Sequence, residues 1–125
     1  IYASMMSSDN VAAITLGDFV GRDHLQRLGR QGDPLGEVVR QMNQLAAKEG
    51  CRQTRFTNPH GIENTRVMPH STAADMARLA LYAAARPAMR FYTNQGSRDL
   101  TVFRGGERVM VTVRNTNQLL GTDRV

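Results

Sequence analysis

The chain has no tryptophan, a single cysteine and a single lysine among its 125 residues, and each scarcity closes off a reading. Cys51 alone cannot form an internal disulfide, so no covalent staple is available to the fold. Eight residues lie between Cys51 and His60 and nine between His60 and His70, which fits no compact zinc spacing, so neither a metal nor a cofactor is expected. With only 3 Tyr and 4 Phe, the core has to come from Leu, Val, Met and Ala. No apolar stretch approaches the ~20 residues that cross a bilayer. Residues 1–20 also lack the basic start and small-residue cleavage site of a signal peptide.

What is present is globular in composition, 41% hydrophobic and 22% charged, at a length that suits one domain. The 16 Lys+Arg exceed the 11 Asp+Glu by five, and apart from Lys48 the excess is arginine, scattered from Arg22 to Arg124. A nucleic-acid interface would gather those charges on one element, so no nucleic-acid partner is expected. A steep salt dependence of DNA affinity would be needed to reinstate one. A weaker reading of the charge is attraction to an anionic polymer such as a cell wall.

Apolar residues 1–6 are interrupted by Ser7-Ser8-Asp9-Asn10 and resume from Val11 to Val20, which predicts the end of one helix, a polar turn, and a second helix stopped by Gly21. Gly29, Gly32, Pro34 and Gly36 mark residues 22–36 as a loop or irregular helix. Leu35, Val38, Val39, Met42, Leu45 and Ala46 share one helical face that runs out at Gly50. An extended piece from Thr54 to Thr57 should lead into a loop holding Asn58-Pro59, Gly61 and Pro69. Ser71 or Thr72 can then cap a helix burying Met76, Leu79, Ala80 and Ala83, with Asp75 in its first turn and Arg86-Pro87 at its end. Finally, alternating runs about Leu100–Phe103 and Val109–Val113 flank Gly105-Gly106, the pattern of a β-hairpin. The residues alone thus give a mainly α chain, helical over about 1–95, with a C-terminal hairpin and loop over about 98–125.

Ser8-Asp9-Asn10 carries the strongest chemical signal, an S-x-N triplet at a helix-to-helix turn. By itself such a triplet is more often a helix cap, since Ser and Asn readily satisfy free N–H groups. It is followed, however, by an ordered series: Met42-Asn43, the Phe56-Thr57-Asn58-Pro59-His60-Gly61 loop, Ser71-Thr72-Ala73-Ala74-Asp75-Met76-Ala77, and Asn115-Thr116-Asn117-Gln118-Leu119-Leu120. The series resembles the D-alanyl-D-alanine carboxypeptidase family, the low-molecular-weight penicillin-binding serine peptidases, over roughly residues 3–121. The resemblance implies the helical subdomain of the α/β penicillin-recognising fold. It implies an acyl-serine mechanism on peptidoglycan stem peptides ending in D-Ala-D-Ala, acylation by β-lactams, and a periplasmic or other extracytoplasmic location.

Two of the three boxes of such enzymes are missing. An S-x-x-K and a K-T-G each need a lysine. Lys48 has Leu45 three places before it and Glu49-Gly50 after it, so neither box exists here. The chain, which opens at Ile1 without Met, reads as a middle segment cut on both sides and inactive alone, with any membrane attachment left to the missing parts. Self-association is expected as one way for such a segment to cover its apolar faces.

By the same resemblance, Ser8 relays a proton between the catalytic Lys and the departing amine, and Asn10 holds a substrate amide. Asp9 stands where the family commonly has Gly, its side chain expected to point outward. His60 invites a general-base or substrate-binding role at the rim of the cleft, against the plainer reading of an imidazole bonded to its own loop. His70 reads as a loop residue, His24 as solvated, and Asp75 as a structural carboxylate. The alternative to an enzyme segment is a non-catalytic protein of the same fold that binds cell-wall peptides.

Overall fold

The computed structural model describes residues 1–62 and 66–121. Five helices precede a two-stranded antiparallel sheet: α1 (Tyr2–Ser7), α2 (Asn10–Arg27), α3 (Pro34–Lys48), α4 (Ala73–Ala84), α5 (Pro87–Thr93), β1 (Ser97–Arg104) and β2 (Glu107–Arg114). The mainly helical architecture with a terminal hairpin is the one the sequence predicts. Residues 63–65, inside the expected loop that holds Asn58 to Pro69, and residues 122–125 of the C-terminal loop lie outside the described residues.

Local chemistry explains most boundaries. Asp33 caps α3 by accepting from Leu35 N–H (3.1 Å) and Gly36 N–H (3.0 Å), and Pro34 opens the helix where its missing N–H is harmless. Gly50 ends α3 at φ 77°, and the Cys51 N–H reaches back to Ala46 O (2.8 Å). Thr72 Oγ1 caps α4 through Asp75 N–H (3.2 Å). In the hairpin, Arg104 pairs with Glu107, leaving Gly105 (φ 58°) and Gly106 (φ 87°) as a two-residue turn with both φ positive.

Two expectations need correction. Gly21 does not stop α2, which continues to Arg27; it lies buried where α2 meets the start of α3. A Cβ there would sit 2.0 Å from Pro34 O, so glycine permits the close crossing. Nor is the α4 stripe buried. Met76 is 48% exposed, and with Leu79, Ala80 and Ala83 it lines an open apolar groove of about 530 Å³ completed by Met42 and Leu45 of α3. Periodicity finds the apolar face of a helix, while the partner that covers it lies elsewhere. The small buried core consists of Met6, Val38, Ala46, Cys51 and Val113.

Candidate active-site turn

Ser8 closes α1 in the left-handed conformation (φ 54°, ψ 38°), a position where glycine is usual, and is the one described non-glycine residue with positive φ. Asp9 N–H returns to Ala3 O (3.2 Å), which locks the turn. The cap of α2 comes from the middle residue: Asp9 Oδ1 accepts from Ala12 N–H at 2.7 Å. Because Asp9 performs the capping that was the plain reading of Ser8 and Asn10, both flanking side chains are exposed and hydrogen-bonded to no described residue. Asp9 also lies exposed, as expected. The turn therefore offers a hydroxyl and an amide to solvent on a backbone fixed from both sides.

A distant segment braces it. Thr116, from the exit of β2, donates through its N–H (2.9 Å) and its Oγ1 (3.3 Å) to Met6 O, and Met6 itself is 1% exposed. Asn115 Nδ2 donates to Thr93 O (2.8 Å) and Gln95 O (2.9 Å), tying the same segment to the end of α5. Tyr2 and Tyr92 meet edge to face at 5.0 Å, docking α1 on α5. Asn115 and Thr116 carry no role in the sequence reading beyond membership of an N-x-N-x-L-L string. The paired asparagines, each able to bond backbone on both sides, were the available signal.

His60 belongs to a second, self-contained loop. Asn58 Oδ1 accepts from His60 N–H (3.1 Å) and Gly61 N–H (2.6 Å), while Asn58 Nδ2 donates to Ile62 O (2.7 Å). Ile62 N–H donates to His60 Nδ1 at 3.1 Å, which occupies the nitrogen lone pair and places the proton of the neutral ring on Nε2. The plainer reading of His60, bonded to its own loop, is thus the arrangement seen. The loop rests on α2, since a Cβ on Gly17 would lie 3.1 Å from Pro59 Cγ. That contact falls two helical turns beyond Asn10, roughly 10 Å along the axis at ~1.5 Å per residue. Asn43 of α3 grips the strand before the loop like a neighbouring strand, exchanging two 2.8 Å bonds with Phe56 N–H and O.

Charges stabilise this frame rather than the turn. Arg40 Nη2 lies 2.6 Å from Glu37 Oε1, and this pairing, helped by Gln41 and His24 against the cost of burial, holds the Glu37 carboxyl down to about 2. His24 is not solvated as expected: its buried Nδ1 lies 2.6 Å from Glu37 Oε1. Asp75 is the expected structural carboxylate, buried and accepting from Gln53 N–H (2.9 Å) and Thr54 Oγ1 (2.8 Å). Burial and the nearby Asp75 push the Cys51 thiol up. Among the described residues no group of His, Cys, Asp and Glu could hold a metal ion, and no helix is long and apolar enough to cross a membrane.

Five helices followed by a two-stranded antiparallel hairpin match the fold of the penicillin-binding DD-peptidases. The chain belongs to the D-alanyl-D-alanine carboxypeptidase family, whose model matches residues 1–125. Among solved structures it is similar to an S216A mutant of the Streptomyces K15 DD-transpeptidase (TM-score 0.81, 25% identity, covering 98% of this chain and 45% of that one). It is similar also to a D-alanyl-D-alanine carboxypeptidase from Mycobacterium tuberculosis H37Rv (TM-score 0.71, 25% identity, 98% and 40% covered). A third is penicillin-binding protein D2 from Listeria monocytogenes in a cefotaxime-bound form (TM-score 0.68, 25% identity, 97% and 42% covered). The chain thus spans less than half the length of these proteins. Comparison with curated proteins finds no match.

Proposed function

We propose that these residues form the S-x-N part of a serine-type carboxypeptidase that removes the terminal D-Ala from peptidoglycan stem pentapeptides outside the cytoplasmic membrane. An acyl-serine intermediate is formed by a nucleophile and a lysine base that the 125 residues do not supply, and β-lactams acylate the same serine. Ser8 relays a proton to the departing D-Ala amine, and Asn10 holds a backbone amide of the substrate. The observation that carries this is the division of labour at the turn: Asp9 caps α2 (2.7 Å), so Ser8 and Asn10 stay exposed and uncommitted. The His60 imidazole serves its loop through Nδ1, so a substrate contact at the rim of the cleft would fall to Nε2. The apolar groove between α3 and α4 is the seat of the remainder of such an enzyme, and in the chain alone a second copy would cover it.

Intact-mass spectrometry with a labelled penicillin tests the reading. The complete protein that contains this chain should gain one covalent label, and the 125-residue chain should gain none, since no serine in it has a lysine base. An adduct on the isolated chain, or none on the complete protein, contradicts it.

A further inference from the structure

The arginine excess is evenly spread in sequence but not in space. On the face of α3 beside the extended piece, Arg40, Gln44, Arg52, Thr54, Arg55 and His70 line a concavity of about 610 Å³. Arg55 and His70 are held across from one another by a two-residue antiparallel bridge, with Arg55 N–H donating to His70 O (2.8 Å) and His70 N–H to Arg55 O (3.2 Å). Of the carboxylates on the surrounding elements, Glu37 is engaged by Arg40 at 2.6 Å and buried Asp75 by Gln53 N–H and Thr54 Oγ1, while Glu49, three residues before Arg52, forms no ion pair with it. Arg52 and Arg55 have no ion-pair partner among the described residues, and both are exposed. Residues carrying two guanidiniums without an ion-pair partner, a third anchored by Glu37, an imidazole and a side-chain amide therefore line one hollow.

From this lining we propose that the concavity is a binding site for an oxyanion, a phosphate or carboxylate group of a larger ligand. A guanidinium presents paired N–H donors that match two oxygens of such a group, which is why arginine rather than lysine serves in these sites. Arg55, fixed at its backbone by the bridge to His70, supplies the positioned fork, and Arg52 closes on the anion from the next turn of chain. The site is separate from the Ser8 turn and needs no covalent step.

The test is titration of the complete protein with inorganic pyrophosphate and, in a second arm, with succinate, by calorimetry at constant ionic strength. The double variant Arg52→Ala/Arg55→Ala removes the unpaired forks, and Arg30→Ala/Arg104→Ala removes the same charge elsewhere. Circular dichroism checks that both variants fold. At least a tenfold loss of affinity in the first variant, with less than a twofold loss in the second, is the expected result. Pyrophosphate binding alone would assign a phosphate ligand, and succinate binding alone a carboxylate one. Absent binding of both anions, or equal loss in both variants, overturns the site and leaves only general surface charge. Neither outcome touches the penicillin-labelling result, so the two readings stand or fall separately.

Discussion

Around Ser8 the backbone is tied down from three directions, by Ala3 O behind it, by the Asp9 cap ahead of it, and by Thr116 beneath Met6. Along α4 and the hairpin the reverse holds, with Met76, Phe103 and Met110 standing open to solvent. Both regions are rich in residues that could have packed or bonded otherwise, so the contrast is informative. The turn is completed by contacts within these 125 residues, while the apolar surfaces have no cover among the described ones. The proton relay proposed for Ser8 would have to be held in place before substrate arrives, and the contacts that hold the turn are local.

The comparison can be broken most severely at the crossing of α2 and α3. Gly21→Ala would drive a methyl group to 2.0 Å from Pro34 O, so the helices have to separate. Overpacking of this kind costs about 1–3 kcal/mol, and urea unfolding should show the largest loss of stability of the substitutions considered. A melt like that of the parent would mean that α2 does not lean on α3 as described.

That crossing also explains how the sequence misleads. Glycine after an apolar run reads equally well as a helix stop or as a contact point, and only the tertiary position of Pro34 decides between them. Where the cause is local, the sequence is sufficient: the Gly50 terminus, the Thr72 cap and the Gly-Gly turn of the hairpin all follow from backbone chemistry of neighbouring residues. It fails where the cause is remote, as with His24, whose partner Glu37 sits on the next helix, and with the α4 stripe, which lacks a cover. The site divides in the same way. Ser8 and Asn10 are legible as a triplet, whereas the brace from Thr116 to Met6 spans nearly the whole chain and leaves only the asparagines on either side of Thr116 as a trace in the sequence.

A milder perturbation sharpens the role of the middle residue of the turn. Asp9→Ala removes the α2 cap and should cost about 0.5–2 kcal/mol; Asp9→Asn, which keeps a cap acceptor, should restore most of it. Equal loss in both, read from thermal melts, would point to the charge rather than the cap.

The smallest effect is confined to acid. The folded-state pKa of Glu37, about 2, lies below its ordinary value of 4.5, so its contribution to stability is fully present above about 4.5 and is lost as pH falls toward 2. Between pH 7 and 5 the difference in melting temperature between the parent and Glu37→Gln should be constant, then shrink toward pH 2. A difference that widens on acidification would reverse the sign of the argument.

The most direct measurement compares turnover and melting of Ser8→Ala and Ser8→Gly in the complete protein. The Ser8 hydroxyl bonds to no described residue, and its left-handed backbone costs a non-glycine residue on the order of 1–3 kcal/mol. Both variants should therefore lose ~10²–10⁴-fold in turnover of a D-Ala-D-Ala peptide, the range of a general acid–base group. Ser8→Ala should melt near the parent temperature and Ser8→Gly at or above it. Parent-like turnover in either variant, with a lowered melting temperature, would show that Ser8 shapes the turn and transfers no proton.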